Sequence, residues 1–131
     1  MVHIMAFTAA LALYRDVNTE RTIHGLRPLV LDARLAAAAE KHAVDMVRRR
    51  YFDHVSPAGD SPADRLKEAG CSFNYAGENI AFAPDVQTAD SALFGSPPHR
   101  ENTLSSNYNR VGIGVAADAN GDLYFVEDFS N

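Results

Sequence analysis

The sequence is poor in the features that mark several protein classes. Its 131 residues contain one cysteine, Cys71, and no tryptophan. A single cysteine excludes an intramolecular disulfide, and we expect it to be a small buried hydrophobic residue. Lysine and arginine number 12 against 17 aspartate and glutamate, which gives a formal net charge of -5. The chain therefore lacks the basic surface that nucleic-acid binding requires, and no nucleic-acid partner is expected.

Long hydrophobic runs are also missing. No stretch reaches the roughly 20 apolar residues that a membrane span requires. The apolar start superficially resembles a signal peptide but has no basic beginning. Phe7, Leu11, Tyr14 and Val17 fall at helical spacing and predict the first turns of a core-facing helix instead. Residues 1–5 are interpreted as a cloning remnant.

The length predicts one domain over residues 1–131, expected to be a monomer. The first half of the chain has helical patterns, beginning with the apolar segment and running to about His24. Asp32 is the predicted N-cap of the second helix, which should run to about Arg50. Ser61 is the predicted N-cap of the third helix. Shorter helices are predicted from Asp85 to Phe94 and from Pro97 to Leu104.

In the C-terminal third of the chain, the hydrophobic pattern changes from a helical period to the two-residue period of a strand. Val111, Ile113 and Val115 alternate with small residues, which predicts a strand. Asn120-Gly121 is a strong hairpin signal, so a returning strand should follow it. A further β-like segment, residues 72–82, is predicted to be interrupted at Gly77. Helices followed by an antiparallel hairpin indicate an α+β fold.

Four motifs occur in order along the chain. They are Asn18-Thr19-Glu20-Arg21 with Gly25-Leu26-Arg27-Pro28-Leu29; Ala39 to Met46 with Phe52-Asp53-His54 and Ser56-Pro57-Ala58-Gly59; Gly77-Glu78-Asn79-Ile80-Ala81; and Ser96-Pro97-Pro98-His99-Arg100-Glu101-Asn102 with Tyr108 to Gly114. This ordered set covers nearly the whole chain. It resembles the bacterial form of the CAP superfamily, the SCP domain of cysteine-rich secretory, antigen 5 and pathogenesis-related 1 proteins.

The resemblance implies a three-layer α-β-α sandwich with a C-terminal antiparallel hairpin and a central cleft. It also implies that His54, Glu78 and His99 meet in that cleft. Two departures from the family pattern stand out. The additional glutamate that many members carry has no counterpart between Asp85 and Gly95, and Leu93 replaces the usual tryptophan.

Two imidazoles beside a carboxylate suit Zn²⁺ or another divalent metal, because imidazole nitrogen is a preferred zinc ligand. His54, His99 and Glu78 are accordingly the candidate metal ligands. The alternative is that these three side chains hydrogen-bond one another and only hold loops together. Ser56 and Ser96 precede prolines and are expected to begin turns rather than to act as nucleophiles. Buried hydrogen-bonding roles are expected for three polar side chains of the motifs, namely Asn18, Arg21 and Asn79. His42 lies on the apolar face of its helix and is expected to be a core histidine.

Three functions remain open at this stage. The first, which the resemblance favours, is an extracellular or cell-surface binding module for a lipid-like or cell-envelope ligand, with no defined reaction and an optional metal. The second is a metal-dependent hydrolase that uses His54, Glu78 and His99. The third is a structural domain whose cleft has lost its role. No catalytic residue is assigned under the first function.

Overall fold

Helices lie on both sides of one sheet in this computed structural model, which describes residues 2–131 and their side chains from Ile4 onward. Met1, part of the remnant predicted at residues 1–5, lies outside the described residues. The elements are α1 (Val2–Ile23), β1 (Val30–Leu31), α2 (Ala33–Arg49), α3 (Pro62–Glu68), β2 (Ala76–Ala83), α4 (Val86–Gly95), α5 (Pro97–Thr103), β3 (Arg110–Ala117) and β4 (Leu123–Ser130). The α+β class is confirmed.

The described strands form a four-stranded sheet in the order β1-β3-β4-β2. β1 runs parallel to β3, and the other neighbours are antiparallel. The hairpin predicted between β3 and β4 is confirmed, with Gly121 at φ +84°, a conformation that glycine adopts without steric cost. β2 and the short β1 lie at the two sides of the sheet.

Each face of the sheet carries its own apolar core, which confirms the three-layer α-β-α sandwich. On one face, α1 and α4 contribute Leu13, Val17, Ala89 and Leu93 to a core that includes Val111, Val115, Phe125 and Phe129. On the other face, α2 contributes Ala39, Ala43 and Met46 against Ile80, Ala116 and Val126. Leu93, which stands at the family's tryptophan position, is 4% exposed and packs in the first core.

Close approach of α2 explains the small residues on one face of β3. A Cβ atom added to Gly112 would collide with the backbone of Ala36, and one added to Gly114 with the backbone of Glu40. The carboxylate of Asp32 accepts hydrogen bonds from two amides of the first turn of α2 and confirms the predicted N-cap.

The apolar side chains of α1 were predicted to face the core, and for two of them this is wrong. Phe7 is 71% exposed and Leu11 is 44% exposed, whereas Leu13 and Val17 are buried. Alanines of the first turns pack against the core beside Leu13, so the stripe that faces the sheet is narrower than the apolar spacing suggested. Among residues 2–131, no helix combines the length and apolar character needed to cross a membrane.

The predicted interruption at Gly77 is also wrong, because β2 continues through it. A Cβ atom at this position would overlap the hydroxyl of Tyr108 and would lie 2.9 Å from Oδ1 of Asn102. Gly77 is therefore glycine because two side chains pack directly on the strand, and not because the strand ends there.

Candidate functional site

The first contact of the site joins the loop after α2 to strand β2. Nδ1 of His54 donates a hydrogen bond to Oε1 of Glu78 at 2.9 Å. The Glu78 side chain is 1% exposed, whereas that of His54 is 45% exposed. This hydrogen bond raises the pKa of His54 above its ordinary value. The Glu78 carboxylate is therefore buried, whereas the His54 imidazole that it orients faces solvent.

Arg65 of α3 completes the environment of Glu78. Its Nη2 donates to Oε2 of Glu78 at 2.6 Å, and its Nη1 donates to the backbone carbonyl of His54 at 2.7 Å. Burial alone would raise the pKa of Glu78, but the hydrogen bond from His54 and the charge of Arg65 lower it below its ordinary value. Glu78 is therefore an ionised carboxylate whose two oxygens both accept hydrogen bonds.

His42 of α2 hydrogen-bonds the backbone of the loop that carries His54. Its Nε2 donates to the carbonyl of Asp53 at 2.9 Å, one residue before His54. Burial lowers the pKa of His42, so the ring is neutral and its Nδ1 lies 3.3 Å from the hydroxyl of Tyr51. The predicted core histidine is confirmed, and it also fixes the backbone next to His54.

His99 approaches from the first turn of α5. Its Nδ1 lies 2.8 Å from Oγ of Ser96, which is the N-cap residue of that helix but makes no side-chain capping hydrogen bond. Burial lowers the pKa of His99, and the nearby charge of His54 lowers it further. The charge of His54 therefore favours the neutral form of His99.

The buried amide of Asn79 connects the two sides of the site. Its Nδ2 donates to the carbonyl of His99 at 3.0 Å and to Oε1 of Glu127 at 3.1 Å. Its Oδ1 accepts from Asn102 at 2.9 Å, and Asn102 also donates to the carbonyl of Glu78. The expected structural role of Asn79 is confirmed, since it ties α5 to β2 and β4.

Two further carboxyl groups are buried in β4 behind the site. Burial raises the pKa of Glu127 to about 7. It raises the pKa of Asp128 well above the ordinary value, and hydrogen bonding to Glu78, its neighbour in register on β2, and the charge of Glu78 raise it further. The raised pKa of Asp128 and the lowered pKa of Glu78 indicate that Glu78 is the charged carboxylate beside Arg65.

The structure thus joins His54 to Glu78 by a hydrogen bond, whereas His99 bonds Ser96 and is linked to His54 only through the effect of the His54 charge on its pKa. It does not place His99 in contact with Glu78. Among the side chains described, from Ile4 to Asn131, no three His, Cys, Asp or Glu residues assemble into a group that could hold a metal ion. Neither ring nitrogen Nε2, of His54 or of His99, has a hydrogen-bond partner among the described residues.

Sequence reasoning missed Arg65 altogether and gave Ser96 only a turn-forming role. No local motif marks Arg65, because its three acceptors come from segments that only the fold brings together. The other structural assignments are confirmed for Asn18, which bonds both polar backbone atoms of Leu29, and for Ser56, whose hydroxyl accepts from the Asp60 amide. Cys71 is only partly buried, contrary to expectation, because it lies at the margin of a small cluster around Leu66.

Similar bacterial proteins are known. The chain is 40% identical over 98 residues to the uncharacterized protein YkwD of Bacillus subtilis, and the match covers 74% of this chain and 38% of the relative. The chain therefore spans well under half of that relative's length.

Solved structures share the fold. An extracellular protein of Bacillus anthracis that contains an SCP domain superposes with a TM-score of 0.91 and 29% identity, over 99% of this chain and 42% of that one. An outer surface protein of Borrelia burgdorferi has a TM-score of 0.88 and 22% identity, over 95% and 92% of the two chains. NaASP2, solved with Zn²⁺, has a TM-score of 0.62 and 14% identity, over 95% and 78%.

The sequence profile of the Cysteine-rich secretory protein family, CAP, matches residues 14–129. This range includes all the elements that build the site, from the middle of α1 to β4. The chain therefore belongs to the CAP family.

Proposed function

We propose that this chain is an extracellular or cell-surface binding domain whose histidine cleft holds a divalent cation such as Zn²⁺. The observation that carries the proposal is the orientation of His54. Its Nδ1–H is held by the buried Glu78 carboxylate at 2.9 Å, which leaves the lone pair of Nε2 toward solvent. Metal-ligating histidines commonly have their other ring nitrogen held by a carboxylate in this way.

His99 supports the same proposal from the other side of the cleft. When its Nδ1–H donates to Ser96 Oγ, 2.8 Å away, its Nε2 is available to a metal. Burial lowers the pKa of this imidazole and favours the neutral form that metal binding needs. Two imidazoles leave coordination positions for water or for a ligand of the domain.

Glu78 fits this arrangement as the group that orients His54 rather than as a ligand itself. Both of its oxygens already accept hydrogen bonds, from His54 and from Arg65, and its side chain is 1% exposed. The hydrolase alternative needs Glu78 as a base that reaches a metal-activated water. Since the pKa of Glu78 is lowered and its oxygens are engaged, the geometry favours binding over hydrolysis.

An exposed aromatic patch beside the cleft supports a cell-envelope or lipid-like ligand. Phe52 and Phe82 are each 49% exposed, and their rings pack on each other and on Tyr124 at centroid distances between 4.8 and 6.5 Å. The loop follows one face of β2, with Phe52 against Phe82 and His54 against Glu78. Exposed apolar patches of this kind mark interaction surfaces, so an apolar part of the ligand would lie here.

Zinc titration by calorimetry at about pH 7.5, which is above the unperturbed histidine pKa of about 6.5, tests the metal site. We expect saturable one-to-one binding in the parent and its loss in His54→Ala and in His99→Ala. Ser96→Ala should weaken binding by about tenfold, as expected for a residue that orients a ligand. His24→Ala removes an exposed histidine that lies outside the cleft and serves as the matched control. Absence of zinc binding in the parent would reject the metal proposal and leave the structural-domain alternative.

Cosedimentation with purified cell-wall material and with lipid vesicles tests the aromatic patch. Phe82→Thr should reduce binding to one of the two, because it removes an exposed ring while keeping a residue suited to a strand. Tyr75→Thr removes a ring that is 53% exposed just before β2, outside the patch, and should have no such effect. Equal losses in both variants would contradict the assignment of the patch.

A further inference from the structure

The outer edge of strand β3 is unpaired over most of its length. β1 pairs with only its first two residues, as Val30 with Arg110 and Leu31 with Val111. After this, the backbone leaves the sheet to begin α2 at Ala33. Residues 113–117 have a strand neighbour on the β4 side but, in the described part of the chain, none on the outer side.

The alternation of a strand identifies which backbone groups face this edge. The amide of Asp32 donates to the carbonyl of Val111 at 3.0 Å, so Val111 directs its polar groups outward. Successive residues alternate in this respect. The N–H and C=O groups of Ile113 and Val115 therefore also point outward, although each of these residues is only 7% exposed. Backbone groups at an unpaired strand edge are able to pair with an added strand.

A groove of about 630 Å³ runs along the same edge, between α1 and α2. Its floor is the β3 segment from Ile113 to Ala117, and small residues of the two helices leave room above it, namely Ala6, Ala10 and Ala36. Leu11, Leu31 and Val44 line the groove and are between 38% and 48% exposed. The charged lining residues, Glu40 and Arg48, both belong to α2.

We propose that this groove binds an extended apolar peptide segment of a partner, which adds to β3 as a strand beyond the end of β1. An extended peptide presents N–H and C=O groups alternately at the spacing of the β3 edge, so it satisfies Ile113 and Val115. Successive side chains of the peptide would then face the two walls in turn, one toward Leu11 and the next toward Val44. An acyl chain would contact the same walls but would offer no partner to the backbone groups.

This surface is separate from the histidine cleft. The cleft lies at β2, and the groove lies beyond β3, with β4 between the two strands. Binding of a peptide in the groove therefore does not depend on the proposed metal site. Loss of one activity by mutation leaves the other measurable.

The test uses a set of capped octapeptides with four consecutive leucine or valine residues at the centre and polar residues at both ends, because successive side chains of a strand face opposite walls. Binding is followed by amide hydrogen exchange of the protein. We expect at least one peptide to bind saturably and to slow exchange at Ile113 and Val115 by about tenfold or more. The same peptide with its alternate amides N-methylated keeps its apolar surface but loses backbone donors, and it should bind about tenfold more weakly.

Two protein variants locate the interaction. Ala117→Pro removes an outward N–H at the end of the edge, where proline is tolerated, and should weaken peptide binding. Leu11→Glu places a charge on the groove wall and should abolish it. Ile23→Glu, at a position of the same helix that is 70% exposed and outside the groove, is the control.

Three results would overturn the proposal. The first is that no peptide of the set slows exchange at Ile113 and Val115. The second is equal affinity for the N-methylated peptide, which would show that only apolar contact matters. The third is binding of oleate in the groove with no binding of any peptide, which would assign the surface to an acyl chain.

Discussion

Arg65 binds Glu78 through Nη2 and Oε2 at 2.6 Å, and the same guanidinium binds the backbone carbonyl of His54 at 2.7 Å. One arginine of α3 therefore holds both the buried carboxylate and the loop that carries the imidazole. Because the Arg65 side chain is 9% exposed and that of Glu78 is 1% exposed, the pair is shielded from water.

Replacement of Arg65 should be strongly destabilising. Arg65→Met leaves the Glu78 carboxylate buried without its cation, which typically costs about 3–5 kcal/mol. The change is measured by urea unfolding followed by circular dichroism. The same variant should weaken zinc binding, because the carbonyl of His54 loses its donor. Arg34→Met, at an exposed arginine that bonds the Gly70 carbonyl, should cost about 1 kcal/mol or less. Similar losses of unfolding free energy in the two variants would show that the buried ion pair contributes no more to stability than the exposed hydrogen bond.

Gly77→Ala should destabilise the protein by about 1–3 kcal/mol, the usual cost of overpacking. The added Cβ would displace the Tyr108 hydroxyl and the Asn102 amide, and Asn102 bonds Asn79 next to the cleft. Thermal unfolding measures the effect. Gly95→Ala in α4 is the matched control, since its Cβ would meet no atom within 4 Å; it should be neutral or slightly stabilising.

Glu127 should make the stability fall as the pH rises. Burial raises its pKa from 4.5 to about 7, so the folded protein holds this proton more tightly than the unfolded chain does. The group therefore disfavours the folded state progressively between about pH 4.5 and pH 7, by about 3 kcal/mol in total.

Glu127→Gln removes this titration while keeping an oxygen for Asn79. Its stability should decline less than that of the parent between about pH 4.5 and pH 7. Unfolding by urea at several pH values measures both slopes. Glu101→Gln, which removes one carboxylate at an exposed position, should follow the parent. A variant slope equal to that of the parent would contradict the assignment to Glu127.

Arg21 should be essential for the attachment of α1 to the segment after α5. Arg21 is 2% exposed, and its guanidinium donates to the carbonyls of Arg27, Thr103 and Ser105, each at 2.8 Å. Arg21→Met leaves these acceptors without donors, at a cost of about 3 kcal/mol or more in unfolding free energy. Arg15→Met, at an exposed position of the same helix, should change the stability little. Equal unfolding midpoints for the two variants would contradict this role.

Much of the fold follows from local patterns. The N-caps Asp32 and Ser61 lie where predicted, and each accepts hydrogen bonds from amides of its helix. The alternation after Arg110 and the turn at Asn120-Gly121 predicted the hairpin. These features depend on neighbours in the sequence, so hydrophobic period and capping chemistry predict them.

Gly77 and Phe7 show where local reasoning fails. A glycine in a strand pattern usually marks an interruption, but the Tyr108 side chain that requires Gly77 comes from a distant segment. The spacing of Phe7 is helical, yet its exposure depends on which stripe of α1 meets the sheet. Both errors concern contacts between elements and not the elements themselves.

The candidate site likewise has features that the sequence predicted and features that depend on contacts between elements. By itself, the sequence determined the helices, the hairpin and, through the ordered motifs of its family, the candidates His54, Glu78 and His99. Only the tertiary structure decided that Glu78 is held by Arg65, and that His99 contacts Ser96 rather than Glu78. The physical reason is that capping and periodicity act within a few residues, whereas the charge and orientation of these side chains depend on burial and on partners that only folding brings within hydrogen-bond distance.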